Sequence, residues 1–197
     1  MTILHKLLKF TLRKFGVIIQ NYFYLEHRID KANLKEIFAT FDYSDVKELV
    51  FTDFLKGEKQ VFTLSKLRLI QKRLDSDKFF AYGIIKDDVL VYSTWVSFDK
   101  LNFNSNFKKK IDLRENEALL EDSYCHKNYR GNGYHGKMNI WRLDRIAKKD
   151  RDTVVVLVER KNTPALKVQK KSGFRVAKKI KITKIWGREY YKEELCS

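Results

Sequence analysis

Apolar and polar positions along the chain follow two different periods. From 79 to 85 and from 89 to 96 the residues are mostly apolar, β-branched or aromatic. Lys86-Asp87-Asp88 separates the two runs, which predicts an antiparallel hairpin. Leu64, Leu67, Ile70 and Leu74 recur at helical spacing with Lys and Arg between them, so 64–74 is predicted helical. A polar, Asn-rich stretch over 99–110 reads as a loop. Beyond it strand and helix alternate: strand 117–125, helix 134–148, strand 154–158, helix 164–171, and one or two strands over 174–191. Such alternation implies an α/β layer with parallel neighbours, here preceded by an antiparallel hairpin. Residues 35–56 are ambiguous. At the start of the chain Leu4, Leu7, Leu8, Phe15, Ile18 and Ile19 alternate with Lys6, Lys9, Arg13 and Lys14. This predicts a basic amphipathic helix over 1–20, packed on the domain or, as the less frequent use of that periodicity, lying on a membrane surface through residues 1–19.

Length and composition narrow the classes. With 197 residues, 44% of them hydrophobic and 14% aromatic, the chain can bury one sizeable core, and a single domain over 21–197 is expected. No apolar run approaches the length that spans a bilayer, the longest being 154–158, and no signal-peptide pattern is seen. Two isolated cysteines, Cys125 and Cys196, make neither a disulfide framework nor a ligand set, which fits a cytoplasmic protein. His5, His27 and His126 lack partners at metal spacing, so no metal is expected. Lys and Arg number 41 against 25 Asp and Glu, a formal charge of +16 that favours acidic partners: phosphates, nucleic acid, anionic lipid or an acidic carrier protein. Between Lys167 and Glu194 ten basic residues face three acidic ones, interleaved with Ile180, Ile182 and Ile185, as in a strand with one wet, basic face. Trp95, Trp141 and Trp186 read as core or pocket walls.

The eight glycines are unevenly spent. Gly131, Gly133 and Gly136 fall within six residues, between a predicted strand and a predicted helix. Glycine opens backbone turns closed to other residues and lets a ligand approach the main chain, while a helix start offers unpaired N–H groups. A phosphate cradle and a plain tight turn both fit. Arg130 adds forked cationic donors. Gly136-Lys137 is followed by Met138, so the hydroxyl of a P-loop is missing. The spacing Gly131-x-Gly133-x-x-Gly136 matches a dinucleotide fingerprint only literally, with Glu159 as its nearest acidic candidate.

The wider stretch Leu120-Glu121-Asp122-Ser123-Tyr124-Cys125-His126-Lys127-Asn128-Tyr129-Arg130-Gly131-Asn132-Gly133-Tyr134-His135 resembles the acyl-coenzyme A motif of the GNAT N-acetyltransferase superfamily. Asn162-Thr163-Pro164-Ala165 through Gly173-Phe174 resembles the family's second block, an Asn-x-x-Ala helix ending in Gly-Phe. Independently of any family, Asn162 is a good helix cap, Pro164 falls in a first turn, and Gly173 suits a helix end. The two blocks cover 117–174. The resemblance implies an α/β (α+β) GNAT-like fold: a mixed central sheet with a splayed strand pair and flanking helices. It also implies acetyl-coenzyme A as co-substrate and direct attack of an amine on the thioester.

By the same resemblance Tyr124, Cys125 and His126 would pair with the pantetheine arm, Arg130, Gly131, Asn132, Gly133, Tyr134 and His135 would hold the pyrophosphate, and Asn162 would contact the arm. Five acids lie within the eleven residues from Asp112 to Asp122. Strand alternation puts Glu117 and Glu121 on one face and Asp122 on the other. Leu120-Glu121-Asp122 is similar to the Leu-Glu-Asp of spermidine/spermine N-acetyltransferases, which implies Glu121 as proton acceptor, with Glu117 second and Asp122 as a substrate contact. Three residues depart from the family pattern. Gln169 stands where the tyrosine that protonates the thiolate is expected; it can orient a water but cannot act as an acid. His135 stands where glycine or alanine is usual, and Cys125 replaces a valine. Tyr129, Tyr134, Tyr190 and Tyr191 are alternative acids among which the sequence does not choose. The acceptor implied is a small-molecule amine, an amino sugar or a peptide amine, with acyl carrier protein as another donor. A non-catalytic GNAT-like protein that binds coenzyme A, carrier protein or nucleic acid is the alternative, nucleic acid being the weaker partner.

Overall fold

The computed structural model describes residues 16–196. In chain order the elements are β1 (Val17–Arg28), α1 (Lys31–Phe38), β2 (Val46–Glu48), α2 (Phe51–Phe54), α3 (Leu64–Leu74), β3 (Phe79–Lys86), β4 (Val89–Ser97), β5 (Lys100–Asn102), β6 (Lys110–Asp112), β7 (Glu117–Cys125), α4 (Tyr134–Ala147), β8 (Thr153–Glu159), α5 (Thr163–Lys171), β9 (Arg175–Ile185) and β10 (Arg188–Leu195). A 3-10 turn, Lys127–Tyr129, precedes α4. Contacts divide the chain into two units, one of residues 28–99 and 113–155 and the other of the remaining described residues, so that one boundary falls inside β8 between Val155 and Val156.

One unit carries α1 to α3, β2 to β4, β7, α4 and the first residues of β8. Strands β2, β3, β4 and β7 are antiparallel neighbours in that order, and Glu117–Leu119 of β7 pairs in parallel with Thr153–Val155 of β8. The sheet is therefore mixed, and the β7–β8 ladder stops at Leu119–Val155. Asp87 and Asp88, both with φ near +50 to +60°, form the two-residue turn between β3 and β4. Two consecutive left-handed residues match the twist of a hairpin, and aspartate tolerates that conformation better than most side chains. Leu49, Phe54, Phe62, Ile70, Ala81, Leu90, Trp95 and Tyr124 form the core beneath α2 and α3. Phe54 stacks on Trp95 at 5.6 Å and Phe62 meets Tyr124 edge-on at 4.9 Å. Fully burying each such ring contributes on the order of 2–3 kcal/mol. Helix α4 packs against α1, β4 and β7, burying Met138, Asn139, Arg142, Leu143 and Ile146 at helical spacing.

The other unit holds β1, β5, β6, the end of β8, α5, β9 and β10. Strand β9 is antiparallel to β1 on one side and to β10 on the other. Its Ile180 and Ile182 are buried while Lys179 and Lys181 between and beside them are exposed, as the alternation of that basic segment requires. Asn162 caps α5 by accepting from the Ala165 N–H at 3.3 Å, with Pro164 in the first turn.

Two expectations about elements are corrected. The helix expected over 1–20 lies outside the described residues up to 15, and from Val17 the chain is strand. Val17, Ile18, Ile19, Tyr22, Phe23 and Tyr24 suit either period, and pairing with β9 decides for the strand. The loop expected over 99–110 contains β5 and the first residue of β6. Leu101, Phe103 and Phe107 are buried there, and Phe103 lies 5.2 Å from Tyr22. Its asparagines mask this apolar content in a polarity reading. Residues 35–56 resolve into the end of α1, then β2 and α2. Of the tryptophans, Trp95 is core, whereas Trp186 is exposed in the β9–β10 turn at φ +45°.

Candidate active site

The candidate site is built where β7 runs out and turns into α4. A cleft of about 350 Å³ is lined by Ser123, Tyr124 and Cys125 of β7, by Tyr129 and the continuous segment from Arg130 to His135, and by Tyr92 of β4. Eight of the ten residues expected to bind the coenzyme thus line one cleft: Tyr124, Cys125, Arg130, Gly131, Asn132, Gly133, Tyr134 and His135. Gly133 is the N-cap of α4 at φ +74°, and unlike Asp30, Thr63 and Asn162 at the starts of α1, α3 and α5 it brings no side chain to cap the first N–H groups. A Cβ added at Gly131 or Gly133 would meet nothing within 4 Å. Open space above uncapped N–H groups at the positive end of a helix is what a phosphate requires. Gly136 lies inside α4 without a positive φ and does not line the cleft, so it is a helix residue rather than part of the cradle.

His126 does not fit its expected role. Its N–H donates to the Val91 carbonyl at 2.9 Å, its carbonyl accepts from the Tyr129 N–H, and its Nδ1 accepts from the Asn128 N–H. These bonds belong to the fold, and the last two to the turn. Because neighbouring strand residues point their N–H groups to opposite sides, the Cys125 N–H is directed away from β4. The Cys125 carbonyl accepts from Arg130 Nε at 3.3 Å, which ties the loop cation to the strand end.

The acidic residues of β7 separate into two groups. Glu117 is buried, and both its oxygens are taken by Arg114, Oε2 by the backbone N–H and Oε1 by Nε, each at 2.7 Å. It closes the turn into β7. Glu121 and Asp122 were expected on opposite faces of the strand, but Arg73 of α3 binds both: Nη2 lies 3.3 Å from Glu121 Oε2 and Nη1 3.1 Å from Asp122 Oδ2. Lys66 adds a 3.0 Å contact to Asp122. The cause is a bulge. Asp122 and Ser123 together oppose Thr94 alone, between the pairs Trp95–Glu121 and Ser93–Tyr124, and Asp122 takes φ +50°. Burial raises the Glu121 carboxyl above the ordinary carboxylate range, opposed by Arg73 and reinforced by Asp122 and Asp99. Its Oε1 is buried without a hydrogen-bond partner. On the same side the Tyr124 hydroxyl donates to Glu58 at 3.0 Å.

On the α4 side of the strand lies a group that sequence reasoning missed. Arg142, 1% exposed, donates from Nη1 to Thr94 Oγ1 at 2.5 Å and from Nη2 to Asn139 Oδ1. Thr94 Oγ1 lies 2.9 Å from Ser123 Oγ. The Tyr92 hydroxyl lies 2.8 Å from His135 Nδ1, while His135 Nε2 is buried without a partner. Burial, with Arg142 nearby, brings His135 down to about 4, and burial raises Tyr92. The imidazole is therefore neutral at physiological pH, turned onto Tyr92 rather than standing in the phosphate cradle. The only signal in the sequence was Arg142 at a core position of an amphipathic helix.

In the other unit, Gln169 of α5 is buried and its Oε1 has no hydrogen-bond partner. Asn162 uses its Oδ1 as the α5 cap. Tyr190 is half exposed, and the Tyr191 hydroxyl donates to Glu193 at 2.6 Å.

A mixed sheet whose parallel pair ends after three residues is followed by a glycine turn into a helix start. The chain has the fold of the GNAT acetyltransferases. A protein from Novosphingobium aromaticivorans assigned to that family as an acetyltransferase superposes with a TM-score of 0.55 at 12% identity, over 92% of this chain and 69% of its own. A conserved protein from Staphylococcus epidermidis, described as functionally unknown, gives 0.60 at 13%, over 94% and 69%. The aminoglycoside N-acetyltransferase AAC(6')-Iy, in complex with a bisubstrate analogue of coenzyme A and monomethyl-acetylneamine, gives 0.50 at 18%, over 66% and 90%. No protein-family model and no curated protein matches the sequence. Among the described residues no helix is long and apolar enough to cross a membrane.

Proposed function

We propose that the protein is an N-acyltransferase that moves an acetyl group from acetyl-coenzyme A to the primary amine of a small molecule, an amino sugar or a peptide. The observation that carries this reading is the cleft in which the end of β7 and the uncapped, side-chain-free start of α4 converge. The coenzyme's phosphates would sit on the N–H groups from Arg130 to His135, and its arm along Cys125 and Ser123. Glu121 takes the amine proton. Its raised affinity for a proton and its unpartnered Oε1 suit an acceptor that must begin ionised and finish protonated. Glu117, held by Arg114, serves the fold, and Asp122 lies beside Glu121 as a substrate contact. Attack by the neutral amine then forms the C–N bond and breaks the C–S bond.

AAC(6')-Iy in complex with the bisubstrate analogue CoA-S-monomethyl-acetylneamine supports a small amine as the acceptor. Reduced Cys125 and Cys196 fit a cytoplasmic enzyme. Gln169 favours one other reading, a non-catalytic GNAT-like protein that binds coenzyme A, carrier protein or nucleic acid. Thermal melting with acetyl-coenzyme A, coenzyme A and ATP side by side tests the donor site, because a ligand of the folded state raises stability by mass action. A rise with the coenzyme A pair alone, followed by coenzyme A release in a screen of amines, is expected. No rise would refute the donor assignment, and a rise without turnover would leave the binding protein.

A further inference from the structure

A fully buried guanidinium needs a counter-charge, and Arg142 has none of its own. Its hydrogen bonds go to the neutral oxygens of Thr94 and Asn139, with Ser123 Oγ at 3.5 Å; among the described residues it forms no ion pair, and its Nε is unpartnered. An uncompensated buried cation is costly. Burial draws Arg142 down only to about 10, so it stays charged at neutral pH.

The hydrogen bonds give this charge a direction. Arginine only donates, so Thr94 Oγ1 accepts from Nη1. Either hydroxyl of the 2.9 Å Thr94–Ser123 pair can donate; with Thr94 as the donor, the Ser123 proton is free to turn to the Tyr92 hydroxyl or into the cleft. Thr94 is completely buried, whereas Ser123 is exposed and lines the cleft. Ser123 is also the second residue of the β7 bulge, two positions along the chain from Glu121.

We infer that Arg142, acting through Thr94, polarises the Ser123 hydroxyl into a hydrogen-bond donor for the coenzyme thiolate released in acyl transfer. The inference rests on the acyltransferase reading. When the amine attacks, its nitrogen bonds to the acyl carbon, and the C–S electron pair leaves on sulfur. The amine proton passes to Glu121, and the thiolate is held by the Ser123 O–H until it diffuses out as coenzyme A. Ser123 is the group that touches the reacting sulfur; Thr94 and Arg142 are positioning residues. Preorganised donors of this kind act strongly because they do not have to reorient during the reaction.

The test is the acidity of the thiol of bound coenzyme A, titrated through the ultraviolet absorbance of its thiolate on the full-length protein. The thiol bound to the wild-type protein is expected to be at least about tenfold more acidic than free coenzyme A. Ser123→Ala and Thr94→Val should return it toward the free value while coenzyme affinity stays within about threefold, and Ser123→Thr, which keeps a hydroxyl, should restore it. Ser123 is exposed, so its substitution tests the relay without disturbing the core. An unshifted thiol in the wild-type protein, or a full shift retained in Ser123→Ala, would overturn the inference and leave the acyltransferase reading intact. Failure of the wild-type protein to bind coenzyme A would overturn both.

Discussion

The Tyr92 hydroxyl lies 2.8 Å from Nδ1 of His135, which joins a residue of β4 to the first turn of α4. The contact turns a side chain at a position where the family keeps glycine or alanine into a wall of the cleft. It also has a consequence for acid stability. The folded state holds His135 down to about 4, whereas an exposed imidazole titrates near 6.5. Between those values the unfolded chain binds the extra proton, so stability is lost as pH falls from about 6.5 toward 4. In His135→Gln that part of the acid loss is expected to disappear, read as a flatter melting temperature across this window. An unchanged profile would exclude His135 as its source.

Glu121→Gln should separate chemistry from stability. Loss of a general base is expected to reduce turnover by about 10²- to 10⁴-fold with coenzyme affinity little changed. The folded state holds the Glu121 proton more tightly than the unfolded chain does, so the native residue costs stability as pH rises through the carboxylate range. The glutamine variant should therefore be at least as stable as the wild type at neutral pH, with any advantage vanishing in acid. Denaturation at the two pH values, beside steady-state kinetics, checks both halves.

Arg73→Met removes the guanidinium shared by Glu121 and Asp122, which also lies 5.3 Å over the Trp95 ring. Two largely buried carboxylates lose a partner, and a destabilisation of about 2 kcal/mol or more is expected. Arg73 is the group that opposes the upward shift of Glu121. The acid limb of the pH–rate profile should accordingly move to higher pH, which a purely structural role for Arg73 would not produce.

The glycines of the turn should respond in opposite ways. Gly136→Ala falls in the first turn of α4 with open space for a Cβ, and is expected to stabilise by about 0.5–1 kcal/mol while coenzyme affinity is retained. Gly133→Ala forces a side chain into φ +74° at the helix start, and should cost about 1 kcal/mol and weaken coenzyme binding. Denaturant melts and calorimetric titration with coenzyme A compare the pair directly.

The half of the chain from Glu117 onward was legible because its signals are local. Apolar periods, the Asn162 cap, Pro164 and the glycine turn each act within a few residues, and β7, α4, β8 and α5 fall within two residues of the predicted bounds. The first half was less legible. A run such as Val17 to Tyr24 is compatible with helix or strand until β9 lies beside it, and Phe103 and Phe107 read as loop until Tyr22 covers them.

In the candidate site the division has the same cause. The sequence by itself marked most of the cleft lining, because the loop and the end of β7 are one continuous segment, but not Tyr92 of β4. Only the tertiary structure decided what those residues can do. A one-residue bulge opposite Thr94 brings Glu121 and Asp122 to a single arginine from α3, although strand alternation alone would part them. Burial of Arg142 behind Thr94 and Ser123 places a charge that the helix predicted over 134–148 did not single out. Register and burial depend on partners distant in sequence, and no local period encodes them.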